Sequence, residues 1–199
     1  MRSTTVLPDN FRVYERIDMQ HDKKTALAVT LIGTVLFIAL FFLGHFAFYP
    51  FSALVSGESS AVYDLLKISA LIGLYIVYII LHELTHAAAM KLCGCGKIRF
   101  GFTGLYAYAG SLTTYFFKIP YRLIALAPLV VWTLLLTVPL PLAPPDWFWV
   151  FYIIQIGNIT GCIGDIYVTC RLWKAPADVL VMDTGTEMTV YSAQPKAGG

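Results

Sequence analysis

The run His82-Glu83-Leu84-Thr85-His86 holds the residues best suited to chemistry, and the chemistry is that of a bound metal. On a helix of 3.6 residues per turn, His82 and His86 share one face and can direct both imidazoles at one ion. Glu83 lies beside that face, placed to reach a metal-bound water rather than to ligate. Zinc suits such a pair, because it accepts imidazole nitrogen and lowers the pKa of its bound water to about 7. Glu83 then reads as the general base on a zinc-bound water.

A catalytic zinc site takes three protein ligands and leaves one position open. Among the acids, Glu83 and Asp165 are the two that lie well inside apolar runs. Asp64 stands at a helix entrance, Asp146 on the opposite side, and Asp178, Asp183 and Glu187 in the C-terminal tail. Asp165 is therefore the candidate third ligand, with Cys162, one turn before it, a weaker alternative. Depth agrees with this choice. His86 is five residues before Lys91 and Asp165 six before Arg171, so both lie about 8 to 9 Å inside the basic ends of their helices. His45 is at the wrong depth and His21 precedes the membrane, so neither reads as a ligand. Asn158, two helical turns before Asp165, has two readings: its amide bonds substrate or a developing oxyanion, or it ties helices together.

The elements that must position these residues are membrane helices. Of 199 residues 58% are hydrophobic and only 13% charged, outside the usual soluble range. Apolar runs near Leu27–Phe48, Asp64–Met90, Leu123–Leu142 and Trp147–Val168 each meet the length of about 20 residues that a span needs. The third is interrupted by Pro128. The fourth opens with Trp147, Trp149 and Tyr152 as an aromatic interface belt. In the connections and tails, Lys and Arg fall before the first run, between the second and third, and after the fourth, as far as Lys196. That bias puts both termini and the middle loop in the cytoplasm. The polar stretch Ser56 to Ser60 links the first two spans on the other side. The net charge of +2 is too small and scattered for a nucleic-acid surface. Cys93, Cys95, Cys162 and Cys170 do not have the pattern of a disulfide framework and read as free thiols.

In the middle loop, the alternation of Ile98, Phe100 and Phe102, with glycines before Tyr106 and Tyr108, predicts a β-hairpin. In the tail, Val179–Met182 and Met188–Tyr191 flank the turn signal Asp183-Thr184-Gly185. The expected fold class is all-α integral membrane, four transmembrane helices with a cytoplasmic β-hairpin between helices two and three and a short β-prone C-terminal tail. Its parts are a cytoplasmic segment 1–24, a four-span membrane domain 25–174 and a cytoplasmic tail 175–199.

On HELTH at the end of a span, the glycine-containing hairpin, Ala127-Pro128 and the Gly157-Asn158 to Gly164-Asp165 run, the sequence resembles the "putative zincin peptidase" family of small bacterial membrane proteins. It is similar, more distantly, to the site-two intramembrane metalloproteases. The resemblance implies a bacterial cytoplasmic membrane location, zinc held by His82, His86 and Asp165, and Glu83 as catalytic base. One departure stands out. Site-two proteases carry their aspartate in Asn-x-Asp-Gly, whereas here Asn158 and Asp165 are seven residues apart and no glycine follows Asp165. The resulting expectation is a zinc metallopeptidase that cleaves a membrane protein or peptide near the cytoplasmic surface. The hairpin would either pair with an extended substrate strand or cap the site. The alternatives are a noncatalytic zinc-binding membrane interaction protein and a zinc hydrolase of a non-peptide substrate.

Overall fold

The computed structural model describes residues 2–55, 60–104 and 106–194. Ser56 to Ser59 and Lys196, used above in the reading of topology, lie outside the described residues. Among the described residues there are five α-helices: α1 (Lys23–Ala47), α2 (Ala61–Leu92), α3 (Lys118–Thr137), α4 (Pro145–Gly161) and α5 (Ile163–Lys174). With α4 and α5 taken together, they supply four stretches long and apolar enough to cross a membrane. In α1 the outward-facing side chains are themselves large and apolar, among them Leu27, Leu31, Ile32, Val35 and Phe42. A water-facing helix would place polar residues there, so hydrocarbon is the solvent this surface fits. Asp22 caps α1, accepting the Thr25 amide at 3.1 Å and its hydroxyl at 2.5 Å.

Among the described residues seven strands accompany the helices, and they correct the all-α expectation. They are β1 (Ser3–Thr4), β2 (Arg12–Ile17), β3 (Arg99–Phe102), β4 (Ala107–Gly110), β5 (Tyr115–Phe117), β6 (Leu180–Asp183) and β7 (Met188–Ser192). Five form an antiparallel sheet in the order β1-β5-β6-β7-β2, and β3 pairs with β4 as a separate hairpin. The chain is mixed α/β. The tail is not a short appendage either, since β6 and β7 occupy the middle of the larger sheet. Three of its strands had weak sequence signals. In β2, Arg12, Glu15 and Arg16 interrupt the apolar alternation, and the pairing with β7 shifts register between Val13 and Glu15. β1 and β5 have two and three residues, too few to show a period of two.

By packing, the chain divides into two units. One comprises 1–29, 83–127 and 164–199, the other 30–82 and 128–163. The first contains both sheets and a core of Met90, Phe116, Ile124, Leu172, Val179, Val181 and Val190, each 1% exposed or less. The second is helical, with a core around Phe148, Trp149, Val150, Tyr152 and Ile156. Trp149 and Tyr152, expected in an interface belt, are thus core residues. The Trp149 indole donates to the Tyr49 carbonyl at 3.1 Å and the Tyr152 hydroxyl to the Leu40 carbonyl at 2.7 Å, so their polar tips are satisfied within the protein. A Cβ on Gly44 would collide with the Tyr152 ring, so this close approach requires glycine.

Candidate metal centre

The α2 helix carries HELTH without a break. The boundary between the two units falls between His82 and Glu83, inside α2, so the helix itself fixes His82 relative to His86. The His86 Nδ1 lies 3.0 Å from the Ile124 carbonyl oxygen. A carbonyl only accepts, so Nδ1 carries a proton, and Nε2 is the nitrogen left to meet a metal. That Nε2 is 3.6 Å from the Asp165 Oδ1. Two ligands of a tetrahedral zinc, with bonds of about 2.0 to 2.1 Å, stand about 3.3 Å apart, close to this spacing. Together His82, His86 and Asp165 offer ligand atoms within 4.8 Å of one another. Two imidazoles and a carboxylate form a donor set suited to zinc.

Asp165 owes its position to a break in the fourth span. Sequence periodicity treats that span as continuous, but α4 ends at Gly161, Cys162 sits at a non-helical cap, and α5 starts at Ile163. Gly161 and Gly164 flank the break, the composition at which helices commonly kink. Asp165 therefore lies in the first turn of α5, where a carboxylate complements the helix dipole. The break also removes the argument that Asn158 and Asp165 share a helix face, since they belong to different helices.

Glu83 is not among the grouped ligand atoms. The backbone N–H of Ala109, in β4, reaches its carboxylate. Just past β4, the Ser111 amide donates to the Asp183 carbonyl at 2.6 Å. The Asp183 carboxylate accepts the Tyr121 hydroxyl at 2.6 Å and the Gly185 amide at 2.7 Å. Burial pushes the Asp183 carboxyl above its ordinary value, against these two hydrogen bonds, which pull it down. A Cβ on Gly110 would strike the backbone of Thr184 and Gly185, and Gly185 has φ +90°. The strand that reaches Glu83 is thus pinned by the β6–β7 turn, which the sequence reading treated as tail.

Asn158 is fully buried, and both ends of its amide have protein partners. Its Oδ1 accepts the Tyr78 hydroxyl at 2.9 Å and its Nδ2 donates to the Thr133 hydroxyl at 3.0 Å. The same Tyr78 oxygen is 3.0 Å from the His82 Nδ1. Sequence reasoning missed Tyr78, although it lies four residues before His82 and so on the same face. It also missed Lys67 in α2, whose fully buried side chain pairs with Asp64 at 3.0 Å. Of the other candidates, His21 pairs with Asp18 at 2.6 Å, the His45 Nδ1 accepts the Phe51 amide, and the Cys162 Sγ lies 3.9 Å from the Asn158 Oδ1.

A protein of Pyrococcus woesei, described as "Uncharacterized 24.7 kDa protein in gap 5'region", is 34% identical over 126 residues, or 61% of this chain. The chain spans 54% of that relative's length. No solved structure matches. The family described as "Putative zincin peptidase" matches residues 75–180, a stretch that takes in His82, Glu83, His86 and Asp165 and exceeds half of the chain. By that match, this chain belongs to the family described as "Putative zincin peptidase".

Proposed function

We propose that this protein is a zinc-dependent, membrane-embedded peptidase that hydrolyses a peptide bond near the cytoplasmic face of the membrane, with Glu83 as its base. The observation that carries this reading is the grouping of His82, His86 and Asp165 around one point, with Glu83 adjacent on α2 and outside the ligand set. A zinc ion held by those three residues would supply Lewis acidity, polarising the scissile carbonyl and acidifying a water. Glu83 takes a proton from the attacking water as its oxygen bonds the carbonyl carbon. It then delivers that proton to the leaving nitrogen as the C–N bond breaks, giving a carboxylic acid and an amine. The Ala109 amide orients the Glu83 carboxylate for both transfers. The β3–β4 hairpin is the element placed to hold an extended substrate segment, since β4 bears the contact to the base. The distribution of Lys and Arg supports an orientation with both termini and the hairpin in the cytoplasm.

The test is quantitative proteomics of cells carrying either wild type or Glu83→Gln. Membrane proteins should accumulate uncut in the variant and be processed in wild type. Identical proteomes from the two would count against catalysis and favour a noncatalytic zinc protein.

A further inference from the structure

Resting on the zinc reading of HELTH, we propose that Tyr78, held by Asn158, is a positioning residue that sets the tautomer of His82 and aims its Nε2 at the metal. The hydrogen-bond directions carry the inference. A phenol has one proton, and the Tyr78 hydroxyl donates it to the Asn158 Oδ1 at 2.9 Å. Asn158 is fixed in that orientation by its Nδ2, which donates to the Thr133 hydroxyl at 3.0 Å. Toward His82, therefore, the phenol oxygen is left as an acceptor, and it lies 3.0 Å from the Nδ1. The proton sits on Nδ1, which makes Nε2 the nitrogen to ligate the ion.

Packing makes the chain of bonds rigid. Asn158 is fully buried and Tyr78 is 7% exposed. The Tyr78 ring meets Trp132 edge to face, with centroids 5.8 Å apart at 88°. Thr133, which ends the relay, is on α3, so three helices meet in it: α2, α3 and α4. His86 reaches the same tautomer through the Ile124 carbonyl, another acceptor. Both histidines thus use Nδ1 for support and present Nε2, by different devices. Asn158 acts in this scheme through Tyr78 and touches no substrate.

Outer partners of metal-bound histidines typically contribute 10- to 100-fold to metal affinity. The experiment is zinc affinity by chelator competition for wild type, Tyr78→Phe, Asn158→Leu and the double variant, joined to 15N-histidine NMR of the metal-free protein. Wild type should show His82 protonated on Nδ1. Each single variant should bind zinc about 10- to 100-fold more weakly. The double variant should be no weaker than the singles, because all act through one chain of bonds. It should also lose less stability than the sum of the two singles, because both singles already break the Tyr78–Asn158 hydrogen bond. A merely structural role would instead make affinity follow stability. Wild-type affinity in Tyr78→Phe, or a wild-type His82 protonated on Nε2, overturns the inference while leaving zinc binding intact. Wild type that binds no zinc overturns both this inference and the peptidase reading.

Discussion

The Asp64–Lys67 pair permits a prediction with a worked magnitude. The Lys67 side chain has no exposed surface, Asp64 is 12% exposed, and Nζ lies 3.0 Å from the carboxylate and 5.0 Å from the Tyr63 ring centre. Removing one partner of such a pair leaves an uncompensated buried charge, at about 3 to 5 kcal/mol. The two single variants should differ. Asp64→Leu strands an ammonium with no path to water and belongs at the top of that range. Lys67→Met strands a carboxylate at the edge of solvent and belongs at the bottom. For a chain of this size each kcal/mol moves Tm by about 2 to 4 °C, so the drops should span about 6 to 20 °C. The double variant replaces both charges by apolar groups of similar volume and should return close to wild type. Thermal unfolding in one detergent would read all four proteins. Single variants indistinguishable from wild type, or a double variant that falls by the sum of the two, would refute the reasoning.

Two further predictions concern the sheet-bearing unit. Gly110→Ala places a methyl against the Thr184 and Gly185 backbone, which cannot swing aside. It should cost about 1 to 3 kcal/mol of stability, measured by thermal unfolding, and the β6–β7 turn should exchange its amides faster. Asp18 lies below its ordinary pKa: burial raises it, but hydrogen bonds from the His21 side chain and from the His21 and Gln20 amides outweigh burial. Its stabilisation is present above the ordinary carboxylate range and fades as pH falls through the lowered value. Asp18→Asn should accordingly flatten the acid limb of a plot of Tm against pH.

Much of the site was legible because it is local. The i, i+4 spacing of His82 and His86 needs only a helix, and the depth of Asp165 needs only the distance to Arg171. What the sequence concealed was non-local or irregular. A break at Cys162 puts Asp165 at a helix start, a geometry that hydropathy cannot register because Gly161 and Gly164 do not interrupt the apolar run. Tyr78 is an ordinary membrane-helix residue by type, and it gains a role only once Asn158, 80 residues later, is beside it. The same holds for the fold class. β6 and β7 had visible β-prone runs, but the other strands of their sheet, β1, β2 and β5, are short or charged, so the five-stranded sheet emerges only from pairing. Trp149 and Tyr152 show the limit of composition, which marks aromatic residues near a span end without telling lipid interface from core.

The central claim is that His82, His86 and Asp165 hold a zinc ion that Glu83 serves as base. Zinc content of the purified protein, measured together with peptide cleavage, tests it most directly. Wild type and Glu83→Gln should each hold about one zinc per chain, with cleavage lost only in Glu83→Gln, and Asp165→Ala should lose the zinc. Wild type that purifies without stoichiometric metal, or Glu83→Gln that cleaves as well as wild type, would contradict it.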